Sequence, residues 1–518
     1  MKRRNFLRSS SAMSLPFLLN GMPVSALMRS SAFTSLNGDS DRVLVLIQLN
    51  GGNDGLNTII PIDQYDNLAN ARPNIILPQN SLLEVDATNA FHPAMSGLAD
   101  LYNNAKVRVV QGVGYPNQNR SHFRSTDIWT TGSAADEFLT TGWLGRYFDR
   151  KFPSYPEGYP NGDCPAPFAL TIGSQVSSTC QGLQGNFSLA INDPDNLSQL
   201  PEGLPGSVDP SSCYAQQLDF VRQTILQSNA YASVITDAAD AGNSLANYPN
   251  NNGLAEQLRT IARLISGGLE TRVYIAAIGG FDTHANQVVE DNPGVGDHAS
   301  LLTQLSGAIA AFQEDLRQLG LEERVVGMTF SEFGRRIRSN AALGTDHGTA
   351  APLILFGSCV QAGILGDNPE ISSDVGVQEG VAMQYDFRSV YGSILMDWFE
   401  VEETEVRSLL YQDFQYLPLL QACTSVATNE VGEVDTVQLE VFPNPCQDWL
   451  SLAFQTGNER LRISIFDALG SEVRVITDTQ FVSGAHQLRI ETRELAPGTY
   501  FVRLASRQWQ KTKRLVKM

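Results

Sequence analysis

The chain has few of the residues from which common metal and membrane sites are built. It contains six cysteines among 518 residues, and none of them forms a C-x-x-C pair, so a cysteine zinc site is not expected. It contains only six histidines. Its most apolar N-terminal stretch, 12–28, is interrupted by Asn20, Gly21 and Pro23, and no later segment is apolar enough to span a bilayer.

Positive charge is also scarce and unevenly distributed. The formal net charge is -19. Residues 1–33 include five basic and no acidic residues, and residues 437–518 include eleven basic and eight acidic residues, which leaves 20 basic and 47 acidic residues between them. An acidic surface repels nucleic acid and anionic membranes, so we expect no nucleic-acid partner.

The N-terminus has the features of an export signal. The segment KRRNFL at 2–7 resembles a twin-arginine signal, and VSA at 24–26 offers a small-residue cleavage site. We therefore predict that 1–33 is a signal peptide handled by the twin-arginine machinery, which exports folded protein.

The cysteines allow a disulfide in an exported protein. Cys164, Cys180 and Cys213 fall in one loop-rich region, and we expect two of them to pair, although the sequence does not decide which. Cys359 ends an apolar run, which predicts a buried thiol.

Apolar runs alternate with helical patterns along most of the chain. This alternation predicts an α/β fold with a doubly wound, mostly parallel sheet covered on both faces. The predicted strands are 43–49, 107–113, 272–278, 324–330 and 352–356, and the predicted helices are 214–246, 254–266, 298–319 and 387–400. The segment 151–213 is rich in Pro, Gly, Ser and Asn and is expected to be an irregular insertion over the sheet.

The pattern changes after the α/β region. We predict a polar linker over 423–436 and then a small β-sandwich over 437–518, since short alternating strands replace the helical patterns. This tail contains FPNP at 442–445, IFDALG at 465–470, PGTYFVRL at 497–504 and a basic end at 511–517.

Together these motifs resemble the C-terminal sorting domain of the type IX (Por) secretion system of Bacteroidetes. The resemblance implies that the type IX machinery is a partner and reads the basic end as part of an address. It also implies export through the periplasm to the cell surface or the extracellular space. The alternative is a substrate-binding β-sandwich module.

Two short motifs combine aspartate with histidine. They are FDTH at 281–284 and GTDHG at 344–348, both in Gly-containing turns that border apolar runs. Aspartate and neutral imidazole are good ligands for divalent metals, and α/β proteins place their sites in loops at strand ends. The motifs therefore favour a metal-dependent hydrolase; the alternative is that they are turn residues with ordinary hydrogen bonds.

Several segments of the α/β region resemble one bacterial family, the domain of unknown function 1501. They are QLNGGNDGLN at 48–57, NRSHF at 119–123, GFDTH at 280–284, FSEFGR at 330–335, GTDHG at 344–348 and DFRSVY at 386–391. The match extends over 42–422. That family is similar to the alkaline phosphatase and sulfatase superfamily, which implies one or two divalent metals and a Ser or Thr nucleophile at a helix start.

The resemblance assigns metal-ligand roles to five residues. Asp54 matches the first metal aspartate, Asp282 and His284 match the pair at one metal, and Asp346 and His347 match the pair at the other. The first pair has the spacing D-x-H, whereas phosphatases commonly use D-x-x-x-H.

One expected histidine is missing, because none follows the GTDHG motif until the tail. Glu332, His122 or His298 is therefore a possible additional ligand, or a second metal is absent. His298 begins a predicted helix and could equally be a cap or core residue.

The remaining candidate residues concern the substrate. Ser121 opens a predicted helix, which makes it the candidate nucleophile; the alternative is an ordinary N-cap. Arg120 and Arg335 could bind an anion bidentately, although surface salt bridges are the commoner role. A formylglycine sulfatase is not expected, because no C-x-P-x-R motif occurs.

The sequence as a whole favours an exported, metal-dependent hydrolase of a phosphate or sulfate ester. The cofactor would be one or two divalent ions (Zn, Mg, Ca or Mn), and the substrate a small ester or glycan. The alternative is a non-catalytic surface protein that keeps the fold and binds a glycan or a protein partner.

Overall fold

The structure is a computed structural model. It describes residues 18–19, 22–23, 41–197, 213–421, 423, 439–456, 458–466, 472–506 and 510–517. The predicted signal peptide and linker lie almost entirely outside these ranges; Leu18–Leu19 pairs with Met22–Pro23 in an antiparallel ladder. The chain divides into two compact units, Met1–Cys423 and Thr424–Met518. Within the described ranges, no helix has the length and apolar character needed to cross a bilayer.

Apart from the short ladder at 18–23, the first unit contains a nine-stranded mixed sheet and two small sheets. Its strands are β1 (Val43–Asn50), β2 (Ile59–Pro61), β3 (Leu83–Glu84), β4 (Asn89–Phe91), β5 (Val107–Gly114), β6 (Ala169–Ile172), β7 (Ser188–Ile191), β8 (Val273–Gly279), β9 (Val325–Phe330), β10 (Arg335–Ser339), β11 (Thr345–His347), β12 (Ala351–Phe356), β13 (Gly363–Leu365) and β14 (Tyr385–Asp386). The large sheet has the order β13-β5-β12-β9-β1-β8-β6-β7, with β14 also paired to β5. All its pairs are parallel except those of β12, which runs antiparallel to β9 and β5.

Helices cover this sheet. They are α1 (Tyr65–Ala71), α2 (Ser96–Asn103), α3 (His122–Thr131), α4 (Trp143–Lys151), α5 (Cys213–Ala241), α6 (Gly253–Ser266), α7 (Asp297–Gln318), α8 (Phe387–Phe399) and α9 (Glu403–Leu409). The mixed α/β fold with a mostly parallel sheet is therefore confirmed.

The central strand β1 explains why its sequence is continuously apolar. Val43, Val45 and Ile47 pack into one hydrophobic core, whereas Leu44 and Leu46 pack into a second core on the other face. Successive side chains of a strand point to opposite faces, so a strand covered on both sides has apolar residues at every position.

The segment expected to be an irregular insertion contributes to the sheet. β6 and β7 lie within 151–213. β6 pairs in parallel with β8, and β7 pairs in parallel with β6 and forms the edge of the sheet. The prediction was wrong because each strand has only four residues, too few to stand out among the surrounding Pro and Gly residues.

The expectation of a buried thiol at Cys359 was also wrong. Cys359 forms a disulfide with Cys423, with the two Cα atoms 4.9 Å apart, and so links the end of β12 to the end of the first unit. Cys180 is a buried free thiol. The side chain of Cys213 lies outside the described residues, so a pairing that involves it stays a prediction.

The second unit consists of antiparallel strands. They are β15 (Leu439–Phe442), β16 (Trp449–Thr456), β17 (Glu459–Phe466), β18 (Glu472–Phe481), β19 (Gly484–Glu491), β20 (Gly498–Ala505) and β21 (Gln510–Lys517). They form a three-stranded sheet, β15-β16-β19, and a four-stranded sheet, β18-β17-β20-β21. The basic end at 511–517 therefore forms most of an edge strand that pairs with β20.

Candidate metal centre

Three adjacent parallel strands place the candidate residues at one edge of the large sheet. β1 lies between β8 and β9 and pairs in parallel with both. Their carboxyl ends therefore meet, and the following loops provide Asp54, Asp282, His284 and Glu332. In open α/β sheets, sites form at the carboxyl ends of the strands.

Close backbone packing explains the glycine pair that follows β1. Gly51 has φ +122°, and a Cβ atom there would lie 2.3 Å from the backbone nitrogen of Asp282. Gly52 has φ +82°, and a Cβ atom there would lie 2.4 Å from the ring of Phe333. Only glycine accepts both the backbone angle and the contact, so the loops after β1, β8 and β9 approach one another closely.

Arg335 connects these loops from inside the protein. Its side chain is fully buried. It donates hydrogen bonds to the carbonyl groups of Gly52, Thr345 and Phe281 at 2.6, 2.9 and 2.9 Å, and to the Asp282 carboxylate at 2.7 Å. The expectation that Arg335 binds a substrate anion is therefore corrected: its donors are already used by the chain itself.

Three histidines and one aspartate come together beside this arginine. His122, Asp282 and His347 each offer a ligand atom, and these atoms all lie within 4.8 Å of one another. His284 joins them, because its Nε2 lies 2.9 Å from Nε2 of His347 and 3.2 Å from Oδ1 of Asp282. The two motifs that the resemblance assigned to separate metals thus meet in one cluster, which we call the histidine cluster (His122, Asp282, His284 and His347).

The remaining distances in the histidine cluster are similarly short. Nε2 of His347 lies 3.2 Å from Oδ1 of Asp282, and Nε2 of His122 lies 3.4 Å from Oδ2 of the same carboxylate. The ring of Phe333 packs against both imidazoles, with centroids 4.9 Å from His122 and 4.6 Å from His347. The four side chains are partly exposed, from 23% at His347 to 48% at Asp282, so the cluster is accessible from solvent.

Hydrogen bonds at the Nδ1 atoms fix the orientation of all three imidazoles. Nδ1 of His347 lies 2.8 Å from the carbonyl oxygen of Arg120, which can only accept a hydrogen bond. Nδ1 of His122 lies 2.7 Å from Glu332, and Nδ1 of His284 lies 3.1 Å from Asp346. Each Nδ1 therefore carries the hydrogen in the neutral imidazole, and each Nε2 directs a lone pair into the cluster.

Two of the expected ligands, Glu332 and Asp346, thus contact the Nδ1 atoms of His122 and His284, on the side of each ring that faces away from the cluster. Glu332 is buried and also accepts a hydrogen bond from the Gly51 backbone at 2.9 Å. Asp346 also accepts from Arg336 at 3.0 Å. A carboxylate that binds the far nitrogen of a metal-ligating histidine is the usual outer partner of such a ligand.

Two other expected ligands have different partners. Asp54 is fully buried, and its Oδ2 accepts from Arg72 at 2.8 Å and from Gln287 at 2.6 Å. Nε2 of His298 lies 3.1 Å from Oδ1 of Asn53. Asp54 and His298 are therefore bound by other side chains beside the site, and their assignment as ligands stays a prediction.

The surroundings shift the pKa of two members of the cluster, Asp282 and His347. Burial raises the pKa of Asp282, but the hydrogen bond and the charge of Arg335 outweigh burial, and the pKa falls to about 2. Burial lowers the pKa of His347 below its usual value. An ionised carboxylate and a neutral imidazole are the protonation states that bind a metal.

The donor set fits a divalent metal ion. In a tetrahedral zinc site with bonds of about 2.0–2.1 Å, neighbouring ligand atoms lie roughly 3.3 Å apart. Four distances in the histidine cluster, those from His284 to His347 and from Asp282 to each histidine, are 2.9–3.4 Å, and the ligand atoms of His122, Asp282 and His347 all lie within 4.8 Å of one another. Nε2 of His122 is buried and, among the described residues, has no hydrogen-bond partner. A cation held by these atoms would satisfy it.

The candidate nucleophile lies at the edge of the cluster. Ser121 immediately precedes α3 in an extended conformation and is exposed, but within the described chain its hydroxyl makes no cap hydrogen bond. Ser121 thus occupies the N-cap position of α3 without a side-chain cap hydrogen bond. Its neighbours on either side both contact the cluster, Arg120 through its carbonyl group and His122 as a member.

Two arginines flank the cluster on the solvent side. Arg120 donates to the carbonyl group of Gln378 at 3.0 Å. Its pKa is lowered by burial and then by the nearby charge of Arg336. Nε of Arg336 is buried and has no partner in the part of the chain that the structure describes. Sequence reasoning missed Phe333 and Arg336. Phe333 lies in the segment 330–335 that carried the family resemblance and Arg336 directly follows it, but no spacing rule distinguishes them.

Comparisons with known proteins agree with the division of the chain. A family model described as protein of unknown function (DUF1501) matches residues 41–389. A second model, described as a secretion system C-terminal sorting domain, matches residues 440–518 and points to secretion. No curated protein matches the chain.

Three solved structures illustrate what the chain is similar to. A protein of the alkaline phosphatase superfamily from Vibrio parahaemolyticus is 9% identical, with 82% of this chain and 77% of that chain covered and a TM-score of 0.33. A phosphonate monoester hydrolase from Silicibacter pomeroyi is 11% identical, with 92% and 89% covered and a TM-score of 0.28.

The third is PorZ, a surface component of the type IX secretion system of Porphyromonas gingivalis. It is 22% identical over 19% of this chain and 13% of that chain, with a TM-score of 0.14. The chain thus covers a small part of this relative's length. None of the three scores carries an argument about chemistry, which depends on the side chains described above.

Proposed function

The chain belongs to the family of proteins of unknown function DUF1501, and we propose that its α/β unit is a metal-dependent hydrolase of phosphate or sulfate esters. The metal ligands are His122, Asp282, His284 and His347. Glu332 and Asp346 orient two of them. The proposal keeps the reaction class that the sequence favours and replaces two of the ligands assigned from the resemblance.

One observation carries the proposal. Nε2 of His284 and Nε2 of His347 face each other at 2.9 Å while both Nδ1 atoms contact acceptors. Two neutral imidazoles in this arrangement direct lone pairs at each other, which is unfavourable unless a cation lies between or beside them. A divalent ion bound by both nitrogens and by Asp282 removes this conflict.

A single ion is the arrangement that we propose. The carboxylates that would complete a second centre are already bound elsewhere, Asp54 by Arg72 and Asp346 by His284 and Arg336. The absence of a further histidine between the GTDHG motif and the tail is consistent with a single ion. Three nitrogens and one oxygen suit zinc, because imidazole nitrogen is intermediate between hard and soft ligands, as zinc is among metal ions. Ca²⁺ and Mg²⁺ prefer oxygen ligands, and the cluster offers few of them.

The side chains around the cluster have distinct roles in the proposed reaction. A bound divalent ion would polarise the ester oxygen and lower the pKa of a nearby hydroxyl. Ser121, whose hydroxyl has no competing cap bond, gives its proton to water and attacks the phosphorus or sulfur atom. The ester P–O or S–O bond breaks, the alcohol leaves with a proton from water, and a second water then hydrolyses the esterified serine to release phosphate or sulfate. The N-terminus of α3 stabilises negative charge at that position, and the guanidinium groups of Arg120 and Arg336 bind the ester oxygens.

Export completes the proposed function. The sorting domain directs the chain to the type IX machinery, and the pattern at 2–7 directs it to the twin-arginine machinery. The twin-arginine machinery carries folded protein, so the metal centre would form before export. Hydrolysis then takes place at the cell surface or in the extracellular space.

Metal content of the purified full chain tests the centre. We expect about one divalent ion per chain by elemental analysis, and a loss of most of it in His284→Ala and His347→Ala, since each removes a ligand. His486→Ala is the matched control, because this partly exposed histidine belongs to the other unit. Less than one ion per two chains, unchanged by either site variant, contradicts the proposal.

Turnover tests the reaction separately. The metal-loaded chain is expected to hydrolyse aryl phosphate or aryl sulfate esters, and His347→Ala is expected to abolish this activity. A chain that retains its metal but hydrolyses neither ester class would instead be a surface protein that keeps the site without catalysis.

A further inference from the structure

Two phenylalanine side chains beside the metal centre lie in solvent. Phe123 is 91% exposed and Phe138 is 78% exposed, and these are the highest exposed fractions among the large hydrophobic residues that the structure describes. Burying such a side chain contributes roughly 1.5–3 kcal/mol, which the fold leaves unused at both positions. Single exposed apolar residues are ordinary, but two at one place need an explanation.

Both phenylalanines lie at one corner of the molecule, the first turn of α3: Phe123 belongs to that turn, and Phe138 packs against the residue that follows Phe123. The guanidinium carbon of Arg124, the residue after Phe123, lies 3.9 Å from the ring centroid of Phe138. Arg124 is itself held by Asp127 and by the carbonyl groups of Ala134 and Ala135. The loop that carries Phe138 is therefore fixed against the first turn of α3, one residue away from Phe123.

This corner adjoins the proposed reaction site. Phe123 directly follows His122, and consecutive Cα atoms are about 3.8 Å apart. On the other side of Ser121, the guanidinium of Arg120 contacts the loop at Gln378. The start of α3 thus presents a cation, a hydroxyl, a metal ligand and an exposed aromatic ring in four successive residues.

From this juxtaposition we propose that Phe123 and Phe138 bind an apolar ring in the leaving group, so that the substrate is a ring-bearing monoester. The inference rests on the proposed function, which places the phosphate or sulfate group of the substrate at the metal centre. A phenylalanine ring has no polar group, so it recognises a ring by its face, either aromatic or saturated as in a sugar. The arginines next to it suit the charged end, and together they fit a ligand that is anionic at one end and apolar at the other.

Binding of phosphonates to the metal-loaded full chain tests the inference without requiring turnover. Titration calorimetry would compare methylphosphonate, phenylphosphonate and cyclohexylphosphonate, which share the charged group and differ in the apolar part. We expect a ring to tighten binding by about tenfold, since stacking on exposed aromatic surface gains roughly 1.4 kcal/mol. A gain with phenyl alone identifies an aryl group, and an equal gain with cyclohexyl identifies a saturated ring; both support the inference.

The variants Phe123→Ala and Phe138→Ala are expected to remove most of the preference for a ring and to leave methylphosphonate affinity and metal content unchanged. Leu183→Ala is the matched control, because Leu183 is an apolar residue of the same unit and is 76% exposed. Equal affinity of the unaltered chain for all three phosphonates overturns the inference. So does a dimer that Phe123→Ala converts to a monomer in sedimentation velocity, since the corner would then bind a second copy.

The failures of the two proposals are distinguishable. A ring preference that depends on Phe123, in a chain that hydrolyses no ester, removes the catalytic proposal and leaves the ring site. Hydrolysis of methyl and phenyl esters at equal kcat/KM, unaffected by Phe123→Ala, removes the ring site and leaves the catalytic proposal.

Discussion

The Nε2 atoms of His284 and His347 lie 2.9 Å apart, although 63 residues separate the two histidines in the chain. Each imidazole is oriented by an acceptor at its other nitrogen. The pair therefore has its lone pairs directed at a common point. The predictions below test what this arrangement is for and what maintains it.

Removal of metal is expected to destabilise the chain. Treatment with a chelator should lower Tm, because an ion bound only by the folded state stabilises it. Returning Zn²⁺ at a hundredfold excess over its Kd should restore about 2.7 kcal/mol. Differential scanning calorimetry measures both changes, and a Tm insensitive to chelator and to Zn²⁺ would contradict a metal centre.

The carboxylates behind the histidines are expected to tune metal affinity. Asp346→Asn and Glu332→Gln keep the shape of each side chain but weaken the hydrogen bond to the ligand histidine. Loss of such an outer partner typically weakens metal binding about 10–100-fold. Competition with a chelating dye measures the change; Asp100→Asn, at an exposed carboxylate on α2, should have no effect. Unchanged affinity in both site variants would exclude this role.

Ser121→Ala is expected to separate catalysis from stability. Loss of a nucleophile should reduce ester turnover by about three orders of magnitude or more. The free energy of unfolding should not change, because the hydroxyl makes no cap hydrogen bond in the described chain. In contrast, Asn252→Ala should cost about 1 kcal/mol, since that side chain caps α6 through the Ala255 backbone. Activity that survives Ser121→Ala would remove Ser121 as the nucleophile.

Arg335→Lys is expected to destabilise the site loops. A lysine cannot reproduce the fork that binds four carbonyl groups, those of Gly51, Gly52, Phe281 and Thr345, and the Asp282 carboxylate, so several buried acceptors would lose their donor. Because each unsatisfied group costs roughly 1–3 kcal/mol, the free energy of unfolding should fall by about 3 kcal/mol or more. Urea denaturation measures it, with Arg317→Lys on the exposed face of α7 as the control. A change below about 1 kcal/mol would contradict the clamp.

Two buried histidines predict a loss of stability in mild acid. Burial lowers the pKa of His298 to about 4 and that of His92 to about 3, whereas the unfolded value is about 6.5. Between pH 6.5 and the folded pKa, the unfolded state binds more protons. The free energy of unfolding should therefore fall as the pH falls through this window and level off below it.

The variant His298→Gln tests this pH dependence. It should reduce the slope by up to about 1.4 kcal/mol per pH unit, the contribution of one histidine. Denaturant titrations at pH 7, 6, 5 and 4.5 measure the slope, and His486→Gln should leave it unchanged. A slope identical in His298→Gln and the unaltered chain would show that His298 does not contribute.

The sequence revealed the large elements because burial on both faces leaves a visible pattern. All five predicted strands and all four predicted helices of the α/β unit are present, with ends shifted by a few residues. Short elements were missed, as at β6 and β7, because four residues carry too little periodicity. The final strand β21 was missed because its lysines and arginines obscure the alternation.

The candidate site was predicted in its residue types but not in its grouping. The Asp-His motifs and the Asn-Arg-Ser-His segment identified every member of the histidine cluster. Which atoms meet depends on the hairpin β10–β11 and on the position of α3, neither of which is a property of local sequence. Pairing His122 with the FDTH and GTDHG motifs required the tertiary fold.

The sequence by itself determined the mostly parallel sheet, the secretion-type tail and the supply of histidine and aspartate at strand ends, because these follow from local patterns of burial and turn residues. Only the tertiary structure decided that Asp54 pairs with Arg72, that Arg335 is a buried clamp, and that three histidines converge on Asp282. The reason is physical: a polar side chain's role depends on which partner satisfies it in the folded chain, and many of those partners are distant in sequence, such as Asp282 for Arg335, 53 residues away, and Glu332 for Gly51, 281 residues away.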